Sequence, residues 1–179
     1  MGHALSWAAI KGVERATVCA RLQLSPTTNR RSDGAIKALP GDWTLVVLER
    51  CQHPLLDEPG LQRLSLGCTV IAAHVEEHVM FSSAEQWTDG QRLWHIHHQG
   101  DQEIDNLTVS GTPPATFAAI ERECRHRQAT DVEKPVVDHI FEIPLVLAQS
   151  ITTFKHDESP IDGFEALEWR RPTPWWRFW

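Results

Sequence analysis

The sequence predicts an α+β protein: a largely antiparallel sheet with helices packed on one face, followed by an extended Trp/Arg-rich C-terminal tail. Short apolar runs of strand length recur from residue 5 to residue 110, and Asp89-Gly90 between two of them indicates a β-hairpin. The two longest helical stretches follow these strands rather than alternating with them. This order of elements is typical of α+β proteins.

Three apolar runs and two short helical stretches precede the hairpin. Leu5–Ile10 predicts the first strand and Thr69–Ala73 the third. Trp43–Leu48 is apolar throughout, which predicts a central strand covered on both faces. The spacing of apolar residues predicts short helices over 13–22 and 59–66. Between them, turn-forming and charged residues predict a surface loop over 25–42.

The hairpin and the later elements have clearer signals. Thr112 followed by two prolines predicts the start of a helix, because threonine caps helices and proline is tolerated in the first turn. Glu121/Arg125 and Glu123/Arg127 are spaced to pair on its exposed side. The remaining predictions are strands over 79–87, 91–98, 104–110 and 164–167, and a second long helix over 144–154.

Length and composition predict one domain. A chain of 179 residues accommodates a single core, which we assign to residues 1–168, with the tail at 169–179. The N-terminus lacks the pattern of a secretory signal, and no apolar run is long enough to span a bilayer. The four cysteines are widely spread and are expected to be reduced thiols. A cytoplasmic protein is therefore predicted.

The charge distribution favours a basic partner. The three arginines of the tail contribute +3 to a formal net charge of −7, which leaves −10 on residues 1–168. Such a body repels nucleic acid phosphates and attracts basic proteins. We therefore expect no nucleic acid partner. Four acidic residues near the hairpin are predicted to contribute to a partner surface: Glu76, Glu77, Asp101 and Glu103.

The tail is the most unusual feature of the sequence. It holds four of the eight tryptophans, and exposed rings of this size call for a cover. Three surfaces could cover these rings: the protein's own body, a partner protein or a membrane. Trp and Arg are typical contact residues of protein partners, and the membrane is the less favoured contact. The predicted partner-binding residues of the tail are Trp169, Arg170, Arg171, Trp175, Trp176, Arg177 and Trp179.

Histidines provide the main alternative, a metal-dependent hydrolase. His74-Val-Glu-Glu-His78 matches a zinc-peptidase motif, but that motif requires a helix, whereas the flanking residues favour a strand. On a strand the two histidines lie roughly 13 Å apart. His95 and His97 share one face of a predicted strand, opposite Trp94, yet no third ligand is identifiable by spacing. Neither a metal nor another cofactor is therefore predicted.

Cysteine chemistry is a weaker alternative. Cys51-Gln-His53 places a thiol near an imidazole, as nucleophilic catalysis requires. Catalytic partners usually converge from distant segments, however, so we interpret Cys51 as the end of the buried 43–50 strand. The sequence provides no other catalytic motif, and we predict that the protein is not an enzyme.

Three stretches, 76–94, 111–120 and 138–145, resemble small bacterial proteins of the immunity type, some of which are partners of secreted toxins. The resemblance implies a binding protein and assigns no site residues. The predicted function is therefore a non-enzymatic immunity or inhibitor-type module that neutralises a partner protein, such as a basic toxin domain. The alternatives are a metal-dependent hydrolase using histidines of the 74–98 region and a peripheral membrane protein held by its tail.

Overall fold

The computed structural model describes residues 2–29, 32–100, 105–131, 137–160 and 162–170. Nine strands within these residues form one antiparallel sheet in the order β2-β9-β3-β4-β1-β5-β6-β7-β8. The strands are β1 (Ala4–Lys11), β2 (Leu24–Pro26), β3 (Gly34–Leu39), β4 (Trp43–Glu49), β5 (Thr69–Glu76), β6 (Phe81–Thr88), β7 (Gln91–Gln99), β8 (Leu107–Gly111) and β9 (Glu165–Trp169). The helices are α1 (Arg15–Leu22), α2 (Glu58–Leu64), α3 (Phe117–Thr130) and α4 (Glu142–Thr152), with a 3₁₀ turn at Pro54–Leu56.

The predicted α+β class and antiparallel sheet are confirmed, but the helices lie on both faces of the sheet. In β1, Ala8 and Ile10 pack in the cluster that includes residues of α1 and α2. Trp7 and Ala9, which point the other way, pack with residues of α4. Residues 7–10 of β1 are apolar at every position because both faces of the strand are covered. We call the two surfaces the α1/α2 face and the α3/α4 face.

The predicted surface loop at 25–42 is wrong in part, because β2 ends there and β3 lies within it. Both strands are completed by β9, which is inserted between them from the far end of the chain. Leu24 and Ile36 are fully buried in this arrangement. Such pairing is not visible to local sequence patterns, because the partner strand is remote in sequence.

The later elements agree with the sequence, with shifted ends. The hairpin connection is Asp89-Gly90, and both residues have the positive φ of a two-residue turn. Helix α3 begins at Phe117 rather than at Thr112. Its two predicted ion pairs, Glu121 with Arg125 and Glu123 with Arg127, are present at 2.9 Å. Among the described residues, no helix is both long and apolar enough to cross a bilayer.

Candidate functional site

A cleft of about 500 Å³, lined mostly by polar residues, opens on the α1/α2 face, above β5, β6 and β7. The 3₁₀ turn and the start of α2 form one wall, and the sheet forms the floor. The described residues that line the cleft on the wall side are Gln52, Leu56, Asp57 and Glu58. Those on the sheet are His74, Phe81, Ser83, Glu85, Arg92, His95, His97 and Gln99.

Strand register brings three histidines to this floor. His74 on β5 is paired with Ser83 on β6, and Ser83 is paired with His97 on β7. One pair further along, Glu85 is opposite His95. Paired residues in antiparallel strands project from the same face of the sheet with Cβ atoms roughly 5 Å apart. The floor is therefore a lattice of polar side chains on adjacent strands.

A β-bulge at Leu93 completes this lattice. Trp87 is paired with Arg92, whereas Gln86 is paired with Trp94, so Leu93 is an extra residue in β7. Without it, Arg92 and His95 would point to opposite faces, since they are three residues apart. The bulge turns both side chains into the cleft, as β-bulges commonly re-aim side chains.

The hydrogen bonds of Ser6 fix the tautomer of His74. The Ser6 hydroxyl donates to the Arg50 carbonyl oxygen at 2.9 Å and accepts the His53 N–H at 3.0 Å. Its single hydrogen is thus committed, so His74 Nδ1 is the donor across the 2.8 Å separation from Ser6 Oγ. His74 Nε2 is left as a hydrogen-bond acceptor on a side chain that is only 7% exposed and lines the cleft.

His95 and His97 have no hydrogen bonds from their rings to the described residues. The two rings stack on each other, with centroids 5.1 Å apart and planes 27° apart. The Nδ1 atom of His97 is buried and has no partner. A buried polar atom without a hydrogen bond costs about 1–3 kcal/mol, so it calls for an explanation.

All three imidazoles favour the neutral form. Burial, reinforced by the nearby charges of His95 and His53, lowers the pKa of His74 to about 4. Burial and the charges of His97 and Arg92 likewise lower the pKa of His95 to about 4. The pKa of His97 is lowered by burial and then by His98. At neutral pH the cleft therefore has hydrogen-bonding imidazoles without their positive charge.

Glu85 is the carboxylate at the centre of the floor. Its Oε2 accepts the Trp87 indole N–H at 2.7 Å, while Arg92 Nη1 lies 3.7 Å from Glu85 and 3.4 Å from Glu58. Burial raises the pKa of Glu85, although the Trp87 hydrogen bond and the charge of Arg92 act in the opposite direction. The negative charge of Glu85 is therefore only partly compensated.

His98 differs from the cleft histidines because it is bonded through both nitrogens. It lies on the α3/α4 face with Trp94 and Ile96 and is fully buried. Nδ1 lies 2.6 Å from the carbonyl oxygen of Asn106, and Nε2 lies 2.9 Å from Asp138. His98 is thus a structural side chain, whereas His74, His95 and His97 retain unused nitrogens.

The motifs that suggested catalysis are not assembled. His74 lies on β5 and His78 beyond its end, so the strand interpretation of this segment is confirmed and the two do not form the helical zinc-peptidase pair. Burial raises the pKa of the Cys51 thiol to about 11, and His53 Nδ1 accepts the Leu55 N–H instead. Across the described ranges, no group of three or more His, Cys, Asp or Glu side chains is placed to hold a metal ion.

The predicted partner-binding residues do not meet in this cleft. Trp169 is the last residue of β9 and is 43% exposed. Its backbone N–H donates to the Asp33 carboxylate at 2.8 Å, and Arg170 is exposed beside it. Glu76 and Glu77 lie toward the same end of the sheet, but β3, β4 and β1 separate β9 from β5. The other predicted residues lie outside the described residues: Asp101, Glu103, Arg171, Trp175, Trp176, Arg177 and Trp179.

The two described acidic residues are engaged within the protein. Glu76 is hydrogen-bonded to His78 at 2.9 Å. Glu77 accepts the backbone N–H of His3 at 2.8 Å and is 3.2 Å from His156 Nε2. Burial opposes ionisation of Glu77, but these hydrogen bonds lower its pKa overall. Glu77 therefore stabilises the N-terminal segment, and Glu76 stabilises the β5–β6 connection.

Sequence reasoning missed the wall residues and Ser6, Ser83, Glu85 and Arg92. Alternation along 81–87 would place Ser83 and Glu85 on one face, but their neighbours on β7 depend on the bulge. Comparison with known proteins adds no template: no protein-family model, curated protein or solved structure matches this chain.

Proposed function

We propose that the protein is a non-enzymatic binding module that recognises another protein through the histidine cleft, as an immunity or inhibitor-type protein does. The observation that carries this proposal is the set of five imidazole nitrogens without a partner: His74 Nε2 and both ring nitrogens of His95 and His97. Of these five, His97 Nδ1 is buried, and buried polar atoms are normally hydrogen-bonded. A partner that excludes water from the cleft would have to provide hydrogen bonds for the others.

The chemistry of the cleft favours binding over catalysis. Nucleophilic catalysis needs an activated hydroxyl or thiol next to a base. The Ser6 hydrogen is donated to Arg50, away from His74, and the pKa of the Cys51 thiol is raised rather than lowered. Ser83 lies in the cleft beside His74 and His97, but within the described residues its hydroxyl makes no hydrogen bond to either ring. Donors and acceptors are abundant, however, and Phe81 adds apolar surface on the floor. This mixture is typical of recognition sites.

The acidic body supports a basic partner, and the free cysteines are consistent with a cytoplasmic location. Residues 1–168 have a formal charge of −10, which accelerates encounter with a positively charged protein. All four cysteines are free thiols in the structure. Reduced thiols are the normal state in the cytoplasm, where an immunity protein would meet a toxin domain.

Isolation of the native complex with cleft variants tests the proposal. We expect His97→Trp, which fills the cleft, to release a partner that the wild-type chain retains during affinity purification. His126→Trp is the matched control, because His126 is exposed on α3. A complex that survives both substitutions would place the partner surface elsewhere.

A metal-dependent hydrolase is the second candidate, and one observation favours it. His74, His95 and His97 converge on one cleft and are neutral, as metal-binding imidazoles must be. Turnover that depends on an added divalent metal and is lost in His95→Ala would support this reading. If the binding proposal is correct, the wild-type chain shows no such metal-dependent turnover, and His95→Ala reduces retention of the partner.

A further inference from the structure

We propose that the cleft receives a basic side chain, an arginine or lysine of the partner, between Glu85 and the histidines. This inference rests on the proposed function, because it names the chemistry of the group that the partner would insert.

Charge is the first argument. Three carboxylates line the cleft, those of Asp57, Glu58 and Glu85, against one arginine among the described lining residues. With neutral histidines the lining has two negative charges in excess. Arg92 approaches Glu58 and Glu85 only at 3.4 and 3.7 Å, which are long contacts for an ion pair. The Glu58 and Glu85 carboxylates therefore retain capacity for a second cation, whereas Asp57 Oδ1 accepts the Gly60 N–H as the N-cap of α2.

Hydrogen-bond polarity is the second argument. The Ser6 contact leaves His74 Nε2 as an acceptor on a side chain that is more than nine-tenths buried and has no partner at that atom. His95 and His97, each neutral, add one acceptor nitrogen apiece. An ammonium or guanidinium group carries only donors, so it complements these acceptors and the Glu85 carboxylate.

Shape is the third argument. Phe81 is only partly buried and provides apolar surface for the aliphatic stem of a long basic side chain. The stacked rings of His95 and His97 offer flat faces, on which a guanidinium plane can stack. Arg92, which lines the cleft, already lies over an aromatic ring, with its guanidinium carbon 5.6 Å from the centre of the Trp87 ring.

The test uses the full chain and four short peptides. Acetylated, amidated hexapeptides contain one arginine, lysine, citrulline or glutamate among glycines. Citrulline matches arginine in shape without its charge. Binding is followed through the imidazole NMR signals of His74, His95 and His97. We expect saturable shifts with the arginine and lysine peptides, and at least about tenfold weaker binding of the citrulline and glutamate peptides.

Substitutions complete the test. Glu85→Gln should weaken binding of the arginine peptide at least about tenfold, and Glu58→Gln should weaken it less, because Glu58 is on the exposed rim. Glu123→Gln on α3 is the matched control and should leave binding unchanged. Thermal melting of each variant shows whether it is folded; if Glu85→Gln is not, Glu58→Gln decides the charge dependence.

Two outcomes would overturn the inference. Stronger binding of the glutamate peptide would show that the cleft accepts an anion, which leaves the proposed function intact. Equal binding of the arginine and citrulline peptides, or no shift with any peptide, would contradict recognition of a cation. The proposed function is tested separately by retention of the native partner in His97→Trp, so the two failures are distinguishable.

Discussion

The ring nitrogen Nδ1 of His74 donates a hydrogen bond to the hydroxyl oxygen of Ser6, 2.8 Å away on the neighbouring strand. Ser6 is also hydrogen-bonded to the backbone of Arg50 and His53, in the segment that follows β4. One buried hydroxyl on β1 therefore connects this segment to the floor of the cleft. The orientation of a candidate binding residue thus depends on a side chain outside the cleft.

Ser6→Ala should therefore destabilise the protein. The substitution leaves the Arg50 carbonyl, the His53 N–H and His74 Nδ1 without their shared partner. We expect the free energy of unfolding to fall by about 1–3 kcal/mol, as measured by urea denaturation. Ser110→Ala is the control, because the Ser110 hydroxyl makes an exposed 3.4 Å contact and its loss should be nearly neutral. Equal stability of the two variants would contradict this role of Ser6.

Stability should decrease as the pH falls from about 6.5 toward 4. His74 and His95 have pKa values lowered to about 4, so between these limits the unfolded chain binds protons that the native state does not. Their contribution is fully present above the unfolded pKa, declines as pH falls and levels off below the folded pKa. For the buried His74 alone, the difference corresponds to about 3 kcal/mol.

Urea denaturation at several pH values measures this dependence. His74→Asn removes one of the two titrating groups and should reduce the slope between pH 6.5 and 4, even if the variant is less stable at every pH. An unchanged slope in the variant would show that His74 does not contribute and that other groups, His95 among them, cause the destabilisation in this range. Asp138 acts at lower pH, because its hydrogen bonds to His98 and to backbone N–H groups lower its pKa against the effect of burial.

The sequence predicts the parts of this fold that local patterns determine. The apolar run of β4 and the turn at Asp89-Gly90 are predicted because their signals lie within a few residues. The strand β2 is missed because β9, its partner, comes from the far end of the chain. Simple counting back from the hairpin turn would pair Glu85 with Trp94. The extra residue Leu93 shifts the register, so that Glu85 is paired with His95 instead. The cleft therefore depends on a bulge that no local sequence pattern predicts.

Purified protein should contain no stoichiometric transition metal. His74, His95 and His97 line one cleft, but the described residues include no group of three donors placed around a common point. Elemental analysis after purification without chelators measures the content directly. About one zinc per chain, lost in His95→Ala or His97→Ala, would favour the hydrolase and count against the binding module.

Gly90→Val should destabilise the hairpin more than Gly67→Val. Both glycines have positive φ, which is strained for a β-branched residue. A Cβ at Gly90 would also lie 3.3 Å from the Leu66 side chain, whereas nothing lies within 4 Å of a Cβ at Gly67. The difference between the melting temperatures of the two variants measures the effect of the contact between the new side chain and Leu66. Equal losses would show that backbone strain alone governs both positions.

Removal of residues 171–179 should lower the melting temperature and also weaken partner binding. An apolar groove of about 350 Å³, with Leu5, Ala35 and Val47 at its base, opens on the α3/α4 face toward the end of the sheet where β9 ends. If aromatic rings of the tail cover this groove, truncation should lower the melting temperature by several degrees. A loss of about 1 kcal/mol corresponds to roughly 2–4 °C in a protein of this size.

A double-mutant cycle tests whether the groove is the dock of the tail. Ala35→Glu should cost more stability in the full chain than in the chain truncated after Arg170, because only the full chain has a tail contact to lose. Additive effects would exclude this groove. If the truncated chain melts at the same temperature but no longer retains the partner, the tail contacts the partner alone. If the full chain floats with anionic vesicles in a salt-sensitive way, the tail contacts a membrane surface. A truncated chain with unchanged melting, partner retention and flotation would contradict any role for the tail in these contacts.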